Sequence, residues 1–300
     1  LIIINNKFKK INFIEMKKKL LLLGATGFLG EFICKNKKFT KNYKIIKHGF
    51  SKKTDLNIDL TKKKNVHKLV NSTKPEIIIN LASNSNVDGC EKNYKKALLL
   101  NTKIAQNIAE TAPETYKIQI STDHMYNLRK GSSEKNIQLL NNYAKTKYLG
   151  ELAYKKDKKN LIIRTNFFGK SLKTDRGIVN WMIKSYQKKE TIYVIEDIFF
   201  NPLHISTFCK ILSNLIEKKI TGTYNLGSKN SISKADFIKK FFEINKVKYQ
   251  KFISVNYKQH KISRTPRPQY MIMNCKKLEK KININMPNIY KEILKAKYEF

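Results

Sequence analysis

Tyr143 and Lys147 stand four residues apart in the stretch NNYAKTKYLGE. On a helix, that spacing brings a phenol and an ammonium to one face. Such a pair can do acid–base chemistry. A ketone that is being reduced becomes an alkoxide and needs a proton donor. A tyrosine hydroxyl, with a pKa of about 10, is poorly matched to neutral pH. A neighbouring ammonium favours the phenolate and is expected to lower that value. Thr122, near the end of the apolar run KIQISTD, could donate a hydrogen bond to the carbonyl oxygen as charge develops. Chance pairs are common in this chain, however. Fifteen Tyr and 61 Lys+Arg, only five of them Arg, in 300 residues give about three Tyr-x-x-x-Lys pairs at random. Five occur: Tyr43/Lys47, Tyr126/Lys130, Tyr143/Lys147, Tyr154/Lys158 and Tyr257/Lys261.

The elements that carry these pairs separate them. The runs at 19–25, 43–49, 76–83, 117–123 and 160–166 read as strands buried on both faces of a parallel sheet. Helices are predicted between them over 28–38, 62–73, 91–111 and 142–157. This alternation is that of an α/β, doubly wound parallel sheet, in which strand C-terminal ends and the helix starts that follow face one crevice. Of the five tyrosines, only Tyr143 follows a buried strand and begins the next helix. Tyr43 sits at the front of a strand, Tyr154 far down a helix, Tyr126 in a loop and Tyr257 in a late, irregular region. Beyond residue 166 the rhythm loosens, with helices predicted over 179–189, 206–219 and 233–245. Ser233 and Asp236 look like the N-cap and first-turn acid of the last. The expected division is a dinucleotide-binding unit over 16–166 and a smaller C-terminal substrate-binding lobe over 167–300, partly interleaved with the sheet. Residues 1–15, ahead of Met16, are expected to be a disordered or non-native extension.

A second motif supports the crevice. GATGFLG, with Gly24, Gly27 and Gly30, follows the first strand and opens a helix, the context of a dinucleotide fingerprint. Gly24 permits the tight turn, Gly27 lets backbone approach a pyrophosphate at the helix N-terminus, and Gly30 allows close helix–strand packing. Thr26, Phe28 and Leu29 share the loop. An acid ending the second strand would bind the ribose 2′-hydroxyl of NAD. Here the segment is KHGFSKK, so His48, Ser51, Lys52 and Lys53 are candidates for the 2′-phosphate of NADP. NADP(H) is therefore preferred to NAD(H). Asp59, followed by Leu60, is placed to meet the adenine.

The formal net charge of +38 invites a nucleic-acid reading. The charge is nearly all Lys and is spread from end to end. Arg forks, which grip guanine, are scarce. An AT-rich codon bias explains the pattern better than a specific nucleic-acid partner. Cys34, Cys90, Cys209 and Cys275 lie far apart without Cys-x-x-Cys, and the five His are scattered. That spacing offers neither a disulfide framework nor a metal site, and fits a reducing compartment. No run is long and apolar enough to span a bilayer, so the expected location is cytoplasmic.

GATGFLG, NLASNSNVDGCE, STDHMYN, YAKTKYLGE and IIRTNFFG stand in the order seen in extended short-chain dehydrogenases/reductases, whose fold is Rossmann-like. The sequence most resembles their dTDP-4-dehydrorhamnose reductase branch, over about 17–278 and most strongly through 170. The resemblance implies an NAD(P)H-dependent reductase of a nucleotide-linked 4-keto sugar, serving surface polysaccharide synthesis; a homodimer is the expected assembly. It implies Thr122, Tyr143 and Lys147 as catalytic residues, with Lys147 also holding the nicotinamide ribose and Asn101 supporting. Leu81, Ala82 and Ser83 resemble the stretch along the cofactor. Asn86, Asp123, His124, Asn166, Arg264 and Arg267 are candidates for substrate, the two arginines for its diphosphate. Three departures lie in this substrate region: His124 where an aromatic is common, Asn166-Phe167 for Ser-Trp, and Asn274 for Asp. Related 4,6-dehydratases carry Glu where this chain has His124, which ranks a dehydratase or epimerase second. The non-catalytic regulatory subunit of methionine adenosyltransferase resembles the same branch and is a further alternative.

Overall fold

A computed structural model of the chain describes residues 17–49, 54–111, 113–171, 177–249, 251–257 and 265–300. Its centre is a six-stranded sheet, all parallel, in the order Gly222–Leu226, Leu161–Thr165, Tyr116–Thr122, Ile77–Asn80, Lys18–Leu23, Tyr43–His48. The expected α/β, Rossmann-like doubly wound class is therefore the observed one. The run of leucines in the first strand shows why both faces are covered. Leu20 and Leu22 enter one core with Ile79, Ile118, Phe208 and Leu212. Leu21 and Leu23 enter the other with Ile78, Leu69, Ile104 and Ile108, as the two-residue period of a strand requires. Each such side chain, fully buried, stabilises the fold by roughly 1.5–3 kcal/mol.

The strand order reverses between Lys18–Leu23 and Ile77–Asn80, and at such a switch point a crevice opens outside the strand ends. Gly24 follows one strand and Leu81 the other. The register sets Leu23 beside Asn80 and Thr122 beside Thr165, so the ends that must hold ligand are level.

Two predicted helices are broken. Helix 28–38 divides into Phe28–Lys35 and Lys37–Asn42 because Asn36 leaves helical geometry, and its carboxamide accepts from Lys38 N at 3.0 Å to cap the second piece. The stretch 91–111 is a chain of short pieces: Val87–Lys92, Tyr94–Ala97, a π-helical turn Leu98–Lys103, and Ile104–Thr111. Asn93 starts the second by accepting from Lys96 N at 2.9 Å. The π turn displaces Asn101 toward helix Asn142–Lys155. There Gly150 is required, since a Cβ on it would lie 2.6 Å from Asn101 O.

The C-terminal half contributes strand Gly222–Leu226 and helix Ile205–Glu217 to the central sheet's layers. It also builds a second core from Phe168, Met182, Phe200, Phe237, Phe241 and Ile289. Beside that core is a three-stranded sheet of Ile232–Ser233, Phe199–Phe200 and Tyr270–Met271. Ser233 caps helix Lys234–Ile244, accepting from Asp236 N at 2.9 Å, as its sequence signature predicts. Among the described residues, no helix is long and apolar enough to cross a membrane.

Candidate active site

The glycine loop meets the requirements of a phosphate cradle. Gly24 has φ +85°, and a Cβ there would stand 2.9 Å from Ala82 N. A Cβ on Gly30 would lie 2.6 Å from Ala25 O. Helix Phe28–Lys35 starts from Gly27 with no side chain capping it, which leaves first-turn N–H groups for an anion. Gly24, Gly27, Phe28, Leu29 and Gly30 line one cleft. Leu81 and Ser83 share the lining, and Ala82 abuts Gly24 through its backbone. Thr26 is exposed at the rim. The Ser121 hydroxyl, buried in this cleft, has no partner among the described residues. Uncapped N–H groups, glycines that cannot carry a side chain, and an idle hydroxyl suit an extended dinucleotide such as NADP(H).

The second strand's end is less direct. Ser51, Lys52 and Lys53 lie outside the described residues. His48 is 1% exposed, its Nε2 sits 2.7 Å from Ile58 O, and burial lowers its pKa. It is a neutral, structural group rather than a phosphate ligand. Asp59 accepts from Thr61 N at 2.9 Å and from its hydroxyl at 2.6 Å, fixing the turn into helix Lys63–Thr73. Leu60 belongs to the core under the sheet. Neither lines the cleft.

At the other end of the cleft, Tyr143 and Lys147 come together with the end of strand Tyr116–Thr122. Asn141 caps helix Asn142–Lys155, accepting from Ala144 N at 2.8 Å, and Asn142 N donates to Glu91 at 2.9 Å. Tyr143 lies in the helix's first turn, 9% exposed, with Thr122 near enough to its hydroxyl to favour the phenolate. Thr122 also accepts from His124 N at 3.2 Å and faces Asp123 Oδ1 at 3.3 Å. Asn166 Nδ2 donates to Asp123 Oδ2 at 2.7 Å. Burial raises Asp123 to about 6. The His124 ring stands edge-on to Tyr143, 5.4 Å between centroids. Burial, then the nearby Lys234 and Arg267, push His124 down to about 3, so the imidazole is neutral.

One expectation is reversed. The phenol's pKa is not lowered on balance: burial raises Tyr143 well above its ordinary value. Lys147 donates to Ile120 O at 2.7 Å, and burial brings it down to about 8. For both groups desolvation is the largest effect. Tyr143 is thus a fully protonated phenol, and an alkoxide, about as basic as hydroxide, can still take its proton.

Asn101 braces the site without touching its reacting groups. Its carboxamide accepts from Asn84 N at 2.7 Å and donates to Asn84 O at 3.1 Å and to Thr146 Oγ1 at 3.0 Å. It ties the loop beside the cleft to the catalytic helix and makes no bond to Tyr143 or Lys147. It is a positioning residue. Asn86, exposed, caps helix Val87–Lys92 by accepting from Gly89 N at 2.9 Å, while its neighbours Ser85 and Val87 line the cleft. Arg267 reaches Asp88 at 2.8 Å. Arg264 lies outside the described residues. Sequence reasoning misses Lys234, whose charge is felt at both Asp123 and His124. Its one signal was position, directly after the helix cap Ser233. Among the described residues no group of His, Cys, Asp and Glu could hold a metal ion.

The description of one protein family, RmlD substrate binding domain, matches residues 17–299. A dTDP-4-dehydrorhamnose reductase of Aggregatibacter actinomycetemcomitans is 28% identical over 211 residues, covering 68% of this chain and 69% of the relative. The spore coat polysaccharide biosynthesis protein SpsK of Bacillus subtilis is 27% identical, covering 87% and 90%. Among solved structures, a dTDP-4-dehydrorhamnose reductase from Bacillus anthracis in complex with NADP superposes with a TM-score of 0.85 at 26% identity, covering 94% of this chain and 99% of that one. The chain belongs to the RmlD substrate-binding-domain family, within the extended short-chain dehydrogenases/reductases that its motifs resemble.

Proposed function

We propose, with that membership as premise, that the protein is an NADP(H)-dependent reductase of a nucleotide-linked 4-keto sugar, working in surface polysaccharide synthesis. The observation that carries the reading is the convergence of the Gly24–Gly30 cradle with Thr122, Tyr143 and Lys147 on one cleft. Bound there, NADP(H) supplies the electrons and hydrogen that reduce a carbonyl carbon. The chain's own residues do the rest. Thr122 orients the Tyr143 hydroxyl and faces the carbonyl oxygen. Tyr143 gives its proton to that oxygen. Lys147 holds the nicotinamide ribose, and its positive charge stabilises the phenolate left behind. Asn101 fixes the helix on which both stand. His124 and Asn166 meet the sugar, with Asp123 holding Asn166 in place.

The same reading divides the chain into a dinucleotide-binding unit over 16–166 and a mainly substrate-binding lobe over 167–300, and places it in the cytoplasm. It also assigns a second copy of the chain as partner. Leu99, Leu149 and Leu152 stay exposed on adjoining helices and offer the apolar surface for that pairing.

The test is to titrate the purified protein with NADPH and NADH, then offer a panel of 4-keto nucleotide sugars and follow the reduced nicotinamide. Turnover with one member and tighter binding of NADPH are expected. Tight cofactor binding with no turnover across the panel would move the reading to an epimerase, a dehydratase or a regulatory subunit.

A further inference from the structure

The helix that opens the glycine loop is fastened to the far side of the cleft. Helix Phe28–Lys35 begins at Gly27, and Glu31 N closes its first turn on Gly27 O at 3.0 Å. A carboxylate in that turn would repel a pyrophosphate at close range. Glu31 is not among the residues that line the cleft. It is 4% exposed and turned the other way. Its Oε1 accepts from Lys35 Nζ at 3.0 Å, and its Oε2 accepts from the buried Ser171 hydroxyl at 3.1 Å.

Ser171 ends a strap, residues 166–171, that leaves strand Leu161–Thr165. A second contact joins the same two elements. The rings of Phe28 and Phe167, both of which line the cleft, lie 5.8 Å apart. The helix therefore meets the strap near its start and at its end. The strap also leads to the reacting groups, since Asn166 donates to Asp123 at 2.7 Å and Asp123 Oδ1 faces Thr122 at 3.3 Å. Its other fixings come from the C-terminal half. Asn166 O accepts from Leu203 N at 3.0 Å, and Phe167–Phe168 pairs with Leu203–His204. Lys170 N donates to Glu299 at 2.9 Å. The Ser171 backbone exchanges two bonds with the Asn180 carboxamide, at 2.8 and 2.9 Å. These bonds hold the strap in shape without the Ser171 hydroxyl, which crosses instead to the glycine-loop helix.

We propose that the Glu31–Ser171 hydrogen bond, with the Phe28–Phe167 contact, couples coenzyme binding to the substrate wall. NADP(H) on the Gly24–Gly30 loop firms residues 166–171, and with them Asn166. Glu31 and Ser171 are positioning residues that act through Asn166 and Phe167. The inference rests on the coenzyme site of the reading above and not on the identity of the sugar. Phosphate on the first-turn N–H groups restrains the helix end from fraying, and a hydrogen bond anchored on a steadier residue opens less often. A sugar that docks on a strap already ordered has less ordering left to do, so the two ligands favour each other without a change of shape. That help is reciprocal.

Hydrogen exchange read by mass spectrometry on the full chain, with and without saturating NADPH, tests the coupling. In the wild type, NADPH is expected to slow exchange in peptides covering 166–171 by about three- to tenfold, the scale of one net hydrogen bond. The Gly24–Gly30 loop should slow as well. Ser171→Ala and Glu31→Ala should each abolish the slowing in 166–171 and keep it in the loop. The double variant should lose nothing more, as expected for two ends of one bond. Ser185→Ala removes a serine–glutamate bond of 3.1 Å inside the C-terminal half, serves as the control and should keep the slowing.

A pair that only stabilises the fold would, when removed, speed exchange in 166–171 equally with and without NADPH, and that result would overturn the coupling. So would wild-type slowing confined to the loop, slowing of 166–171 that persists in Ser171→Ala, or an equal loss in Ser185→Ala. Turnover is read separately. A protein that reduces no 4-keto sugar but loses the NADPH-dependent slowing in Ser171→Ala keeps the coupling and drops the reductase. One that turns over, with slowing confined to the loop, keeps the reductase and drops the coupling.

Discussion

Two groups of buried charges lie on either side of the catalytic helix, and they are treated in opposite ways. Behind the helix, Arg164 is fully buried and every direction is answered. It grips Glu151 through two nitrogens, at 2.9 and 2.6 Å, and also donates to Tyr126 Oη and Glu134 O, each at 2.8 Å. Tyr126 passes the chain on to Asn225 at 2.6 Å. In front of the helix, Lys147 has one carbonyl, and Ser121 Oγ and His124 Nδ1 have no partner among the described residues. The satisfied set fixes the helix to strands Leu161–Thr165 and Gly222–Leu226. The unsatisfied set faces the cleft, where a ligand can supply what the protein withholds. Buried polar groups are paired as a rule, so the exceptions mark the working surface.

That contrast can be broken most severely from behind. Arg164→Met leaves Glu151 buried and unpaired, and is expected to cost about 3–5 kcal/mol of stability. Chemical denaturation would show it, and a change below 1 kcal/mol would mean that the network is not what holds the helix. Next is Lys147→Met in front. Stability should hold or rise slightly, because an uncompensated buried charge is removed, while NADPH affinity should fall about tenfold or more for a lost charged hydrogen bond. Fluorescence titration of NADPH reads this. A drop in melting temperature with unchanged affinity would place Lys147 with the structural set.

Asn101→Ala probes the border between the two sets. Its loss leaves Asn84 N and O without their partner, an expected cost of about 1–3 kcal/mol. Turnover should fall with it, and NADPH affinity much less. The smallest effect is on pH. Lys147 is held at about 8 by burial, so its charge is complete below that pH and lost as pH rises through it. NADPH affinity should be level from pH 6 to 7 and decline above about 8. Lys147→Arg should be flat over the same range. A decline on the acidic side instead would assign the titration to Asp123, which burial raises to about 6.

The difference between the two regions also explains what the amino-acid sequence could disclose. The sheet was legible because Leu20–Leu23 and Ile77–Ile79 are continuous apolar runs, and because the glycine trio is confined to one strand–helix junction. Tyr143 was singled out from five candidates by topology alone. What sequence could not reveal were the quantities set by burial. The rise in the Tyr143 pKa and the neutrality of His124 both follow from desolvation, which depends on what the chain packs around a group. The break of 91–111 into a π turn was hidden for a related reason, since helix propensity says nothing of Gly150 approaching Asn101 O. Lys234 is one lysine among many, and only the fold brings its charge near Asp123 and His124.

The central claim is that Tyr143 acts as a proton donor rather than as part of the frame, and Tyr143→Phe tests it most directly. Melting temperature, NADPH affinity and turnover of a 4-keto nucleotide sugar would be measured on one preparation. The account predicts that the first two stay close to wild type while turnover falls by about 10²–10⁴-fold, the range for a lost general acid. Turnover retained within about threefold of wild type, far outside that range, would contradict it.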